Sequence, residues 1–207
     1  MQKHFLFRLF VFLLLFFHTR LFSKDLSEIK SWLYQLQYVD LNKVAQSDFD
    51  LVVMDYSKDG TGDQAYSRDE IQTLQNKNER MVLAYLSIGE AEDYRDYWQS
   101  DWEPGDPVWL DEENPEWEGN YKVLYWHPGW QQIILDYLKE IQKAGFDGIY
   151  LDLIDAYESY LHFSSVQSWK AMVDFVRMLR DSARVTDPEF IIIGQNAPEL
   201  IEYDPGY

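Results

Sequence analysis

The sequence has no cysteine in 207 residues. That excludes a disulfide framework and any attachment to lipid through a cysteine. Basic residues are scarce, with 18 Lys and Arg against 36 Asp and Glu and a formal charge of −18. A field of that sign repels nucleic acid and attracts cations, including any polycationic polymer; it also keeps an exported protein soluble. Beyond a leader-like start only His127 and His162 remain, and neither has zinc-type ligand spacing, which leaves His127 for helix capping or a hydrogen bond to a ligand. No Ser/Gly linker, repeat or low-complexity block interrupts the chain, so one domain is the economical reading. The apolar run from Leu9 to Phe17 is too short for a comfortable membrane span.

That run belongs to a leader pattern. Lys3 and Arg8 stand before or within the apolar block, and Thr19 to Ser23 form a polar exit. Residues 1–23 read as a signal peptide, with an uncleaved anchor as the alternative, and residues 24–207 as the exported domain, secreted or periplasmic. No stable membrane insertion is expected after cleavage. Loss of the leader removes Lys3, Arg8 and Arg20 and no acid, which takes the formal charge from −18 to −21. A chain that is 46% apolar and 17% aromatic has ample material for a core.

Strand-like runs occur at Leu33 to Tyr38, Leu51 to Tyr56, Met81 to Ile88, Lys122 to Trp126, Gly148 to Ile154 and Phe190 to Gly194. Helical or loop segments separate them, which implies a parallel α/β sheet. Ser67 and Glu70 make a capping box before Ile71 and Leu74. Pro128 opens a helix whose Ile133, Ile134, Tyr137, Leu138 and Ile141 form one apolar stripe, closed by Gly145. A further helix is predicted from about Ser165 to Ala183, its apolar residues recurring at helical spacing. Tyr97 to Trp117, with four tryptophans among acids and prolines, has no periodicity and reads as a long loop. Six strands fall short of a (β/α)8 TIM barrel, so the expected fold is an incomplete barrel of that type, with an open sheet as the alternative. The final EYDPGY reads as a turn that caps nothing.

In such a barrel, chemistry gathers where strands end. GFDGIYLDLIDAYE, Gly145 to Glu158, combines a helix stop, a strand covered on both faces and the carboxyls of Asp152 and Asp155. Asp152 is the catalytic candidate, against a structural carboxyl; Asp155 reads first as a loop-shaping group or a ligand contact. Glu90 and Glu92 follow the third strand with Arg95 nearby, either facing a ligand or held in an ion pair. Asp55 at the end of the second strand has the same two readings. Gln195 and Asn196 close the last strand with amides that both donate and accept, which suits a polar ligand or a bridge from strand to loop. Trp126 and the Trp-rich loop offer ring faces for stacking on a ligand, although most tryptophans here are packing. Tyr34 and Gln35 carry the same ambiguity with less weight.

The order of WLYQLQ, DLVVMDYS, LAYLSIGEAEDYRDYW, YWHPGWQ, GFDGIYLDLIDAYE and IIIGQNAPEL resembles glycoside hydrolase family 114, the endo-α-1,4-polygalactosaminidase group. Some of its members carry a label relating them to cysteinyl-tRNA synthetase, but this chain has no nucleotide-binding signature or basic surface. The resemblance implies a barrel that cleaves α-1,4-linked galactosamine polymers with two acidic residues, without metal or organic cofactor. Its partner would be a cationic aminosugar polysaccharide. Asp152 matches the carboxyl at the end of the family's fifth strand, and Asp55, Glu90, Glu92, Trp126, Asp155, Gln195 and Asn196 become substrate-binding candidates. The second acid is expected on a later strand, beyond Tyr207. Alternatives are an inactive remnant that at most binds aminosugar polymers, and an active barrel on an acetylated or uronic polymer.

Overall fold

A computed structural model describes residues 25–75, 79–163 and 165–204; the leader-like residues 1–23 lie outside them. In chain order the elements are β1 (Trp32–Tyr34), α1 (Leu41–Ala45), β2 (Leu51–Met54), α2 (Arg68–Gln75), β3 (Met81–Ser87), β4 (Glu90–Glu92), β5 (Leu110–Glu113), β6 (Asn120–Val123), α3 (Pro128–Ala144), β7 (Gly148–Asp152), α4 (Ser168–Thr186), β8 (Ile191–Gly194) and α5 (Leu200–Tyr203). Five strands form a parallel sheet in the order β1-β2-β3-β7-β8, and β4, β6 and β5 form a small antiparallel sheet. The main sheet is part of an α/β barrel and does not close among the described residues, where β1 and β8 are its edges.

Two-residue alternation sets both faces of the parallel sheet. Val52, Met54, Val82, Ala84, Leu86, Ile149 and Leu151 pack outward into the main core with the helices. Leu51, Val53, Met81, Leu83 and Tyr85 form the inner cluster, with Tyr150, Ile191 and Ile193 packed against it. Burial on both faces explains why these strands read as unbroken apolar runs.

Local signals placed the helices. Ser67 and Glu70 close the capping box reciprocally, Ser67 N donating to Glu70 Oε2 at 2.8 Å and Glu70 N to Ser67 Oγ at 3.3 Å. The imidazole of His127 caps α3, its Nδ1 accepting from Gly129 N at 3.0 Å. Trp130, Ile134, Leu138 and Ile141 are the fully buried face of α3. Gly145 ends it at φ 91°, where a residue with a Cβ is disfavoured.

Three expectations change. The run Lys122 to Trp126 is no barrel strand, because its first residues belong to β6, which pairs antiparallel with β4 and β5. The six residues between β5 and β6 suffice for a hairpin, whereas a parallel neighbour needs a crossover of about a dozen or more. The main sheet therefore has five strands where six were expected, and β3 pairs directly with β7. Next, the segment Tyr97 to Trp117 is built rather than loose. It holds β5, and Trp98, Trp102 and Trp109 pack ring against ring, Trp109 reaching Trp130 of α3 at 5.2 Å between centroids. Last, Leu200–Tyr203 is helical and docked. Tyr203 stacks on Trp169 at 4.8 Å, and Asp204 pairs with Arg177 at 2.8 Å.

Candidate active site

The antiparallel sheet is an insertion between β3 and α3, so it stands at the C-terminal ends of the parallel strands. Between the two sheets lies a cleft of about 810 Å³, lined among others by Tyr34, Asp55, Tyr85, Glu90, Asp152 and Gln195. Asp152 reaches it by parity. Ile149 and Leu151 face the helices, so Tyr150 and Asp152 face the interior, and Asp152 is the last residue of β7. Register then supplies its partner. Tyr85 pairs with Tyr150 across β3 and β7, and its hydroxyl donates to Asp152 Oδ2 at 2.8 Å. The other oxygen, Oδ1, accepts from Leu153 N at 2.9 Å. Burial, with the charges of Glu92 and Asp152 beside it, pushes the Tyr85 phenol up, so it stays a donor. Tyr34 is pushed up to about 12, first by burial and then by Asp152.

The backbone at this point is constrained. Leu153 has φ 58°, a conformation that costs an L-residue about 1–2 kcal/mol, and its N–H donates to the carboxyl of Asp152. Across from it stands Gly89, where any Cβ would collide with the carbonyl oxygen of Leu153 and the side chain of Ala156. Glycine at 89 is thus a condition for the placement of Leu153.

A second group of charges centres on Arg95, whose side chain is 1% exposed. Its Nη1 and Nη2 donate to Asp55 at 2.9 and 2.8 Å, its Nε to Glu92 Oε2 at 2.6 Å, and Nη1 also to the hydroxyl of Tyr137 on α3. Burial opposes the guanidinium charge, but Glu92, Tyr137 and Asp55 outweigh it and hold Arg95 protonated. Tyr94 donates to Glu92 Oε1 at 2.6 Å, and Ser57 N to Asp55 Oδ1 at 2.9 Å. Both carboxyls line the cleft, yet both are engaged in holding β2, β4 and α3 together, which favours the anchoring reading of each. Glu90 differs. Its Oε1 accepts from Asn114 Nδ2 at 2.8 Å, and burial pushes its carboxyl up.

Of the residues singled out in the sequence, Asp152, Asp55, Glu90, Glu92 and Gln195 line one cleft, and Trp126, Asp155 and Asn196 do not. Trp126 lies past β6, not at a barrel strand end, and packs edge-on against Tyr125, Tyr160 and Phe163 at 4.9, 5.1 and 5.7 Å. Asp155 turns into the 3-10 helix Ile154–Tyr160, where Oδ1 is buried without a hydrogen-bond partner; burial, and then the charge of Asp152, push its carboxyl up. Asn196 is exposed at φ 66°, just past the strand end. With β6 outside the main sheet, Asp152 ends its fourth strand and Gln195 follows its fifth. Sequence reasoning missed Tyr85 and Asn114. No local signal marks the first, whose role depends on the register of β3 with β7. Among the described residues, no three His, Asp or Glu side chains cluster as a metal site, and no helix is long and apolar enough to cross a membrane.

Known proteins share this architecture. The glycoside hydrolase domain of PelA from Pseudomonas aeruginosa superposes with a TM-score of 0.60 at 17% identity, over 85% of this chain and 62% of that one. Aspergillus fumigatus Ega3, solved in complex with galactosamine, superposes with a TM-score of 0.62 at 21% identity, over 83% and 61%. An uncharacterised protein of Methanocaldococcus jannaschii is 46% identical over 186 residues, which are 88% of this chain and 54% of that relative. The chain thus spans just over half the length of that relative. The model of glycoside-hydrolase family GH114 matches residues 22–205, a span that takes in both sheets and every carboxyl of the cleft, and the chain belongs to that family.

Proposed function

We propose that the cleft binds α-1,4-linked galactosamine polymers and that Asp152 is one of two carboxyls that cleave them. The observation that carries this reading is the setting of Asp152. Among the strand-end carboxyls of the cleft it alone is clear of Arg95 and Asn114, and Tyr85 and Leu153 fix its two oxygens. Membership of GH114 and the galactosamine bound to Ega3 support the choice of sugar. Glycosidic cleavage needs one carboxyl to protonate the leaving oxygen and another to attack the sugar or activate water. The second is assigned, on the family resemblance, to a later strand. Export through the leader-like residues 1–23 belongs to the same proposal and is checked by N-terminal sequencing of secreted protein.

The test is release of reducing ends from polygalactosamine, with acetylated and uronic polymers alongside. Asp152→Asn should lower turnover by about 10²- to 10⁴-fold. Rates within a few-fold of the parent would remove Asp152 from the chemistry. The second reading, a domain that binds the polymer without cutting it, draws on the other strand-end carboxyls of the cleft among the described residues, each of which is held by Arg95 or Asn114. Polymer binding with no reducing ends released would establish it.

A further inference from the structure

Two aromatic side chains of the cleft are placed as no core residue would be. Tyr38, in the segment after β1, is 91% exposed, and Trp117, in the turn between β5 and β6, is 66% exposed. The other tryptophans of the insertion, Trp98, Trp102 and Trp109, pack against one another or the core, so Trp117 stands apart from its neighbours.

Each ring is held out by a built backbone. Tyr38 has φ 54°, an unfavourable conformation for a bulky residue, and its exposed ring gains almost no packing in return. Gln35 Nε2 clamps the turn by donating to the carbonyls of Gln37 and Tyr38, each at 3.1 Å. Around Trp117, Trp117 N donates to Asn114 O, Asn120 N to Trp117 O, and Gly119 N to Glu113 Oε1 at 2.7 Å. The side chain of Asn114 ties that turn to Glu90.

We propose that Tyr38 and Trp117 are stacking platforms for separate sugar units of the aminosugar chain that the cleft takes. This rests on the reading of the cleft given above. Sugar rings present C–H faces that stack on aromatic planes, and both residues belong to the cleft lining. Charge agrees with the occupant. Asp59, Glu90, Glu118 and Asp152 share the lining with Lys58, whose ammonium is engaged by Glu70 at 3.1 Å. Protonated amines of a galactosamine chain meet carboxyls there while the rings carry the sugar faces. The volume of about 810 Å³ is in the upper part of the roughly 300–1,000 Å³ range of small-molecule pockets, room for more than one unit.

Calorimetry on the Asp152→Asn protein tests this with a galactosamine tetramer and with free galactosamine. Trp117→Ala and Tyr38→Gly should each weaken tetramer binding by about two- to tenfold and leave galactosamine binding unchanged, whereas Trp117→Phe keeps most of the affinity. Glycine tolerates the backbone of Tyr38, so Tyr38→Gly should keep or raise the melting temperature while affinity falls. A structural role would lower both. Tetramer affinity unchanged in both variants overturns the platforms and leaves the cleft reading standing. No binding of tetramer or monosaccharide by the Asp152→Asn protein overturns both.

Discussion

Asp152 was legible in the sequence because a carboxyl ending an apolar strand has no packing role to fill. Its partner Tyr85 was not legible, since inside MVLAYLS it reads as one more core aromatic; its role depends on a register with residues 65 positions away. Glu90 allows a pH test. Burial raises its carboxyl, and the charge of Glu92 adds to that, so the folded chain keeps this proton to higher pH than the unfolded chain does. Stability from this residue is therefore complete below the ordinary value of 4.5 and declines as pH rises through the higher folded value. Glu90→Gln removes the titration and keeps an oxygen for Asn114. The variant should lose less stability than the parent between pH 4.5 and neutrality, measured as denaturation midpoints across pH. Parallel decline in the two proteins would assign the effect to another group.

At the scale of elements, caps were readable and pairings were not. The Ser67–Glu70 box and the Gly145 stop are decided within a few residues, and both helices begin or end where those residues place them. The run Lys122 to Trp126 looked like a barrel strand because a short apolar run does not state its partner; the turn before it, closed at Gly119, makes it a hairpin arm. That misreading carried Trp126 with it. Gly145 supports a sharp expectation. At φ 91° an alanine is strained by about 1–2 kcal/mol, so Gly145→Ala should lower the melting midpoint by about 2–8 °C, and Gly145→Asn by less. Equal midpoints for the glycine and alanine proteins would mean that the helix end relaxes freely.

For the molecule as a whole, alternation of strands and helices was enough to read an unclosed barrel, because four strand-to-strand crossovers fill the described chain. Strand order was not readable, since the insertion of β4 to β6 lengthens one crossover without marking itself as foreign. Net charge acts at this scale too. With 36 acids against 18 bases, attraction of a polycation should weaken as salt shortens the Debye length from about 30 Å at 0.01 M to about 8 Å at 0.15 M. Association rates with polygalactosamine should fall over that range, and those with an N-acetylated, uncharged polymer should stay level. Salt-independent rates for the cationic polymer would show that the long-range field plays no part in capture.

The insertion contributes one wall of the cleft and none of the hydrogen bonds of the parallel sheet. The turn between β5 and β6 can therefore change in length and composition while Arg95 and Trp109 keep the insertion seated on Asp55 and α3. Under the proposed function, preference for one polysaccharide over another is then open to change at that turn, residues 114–119, with the parallel sheet left as it is.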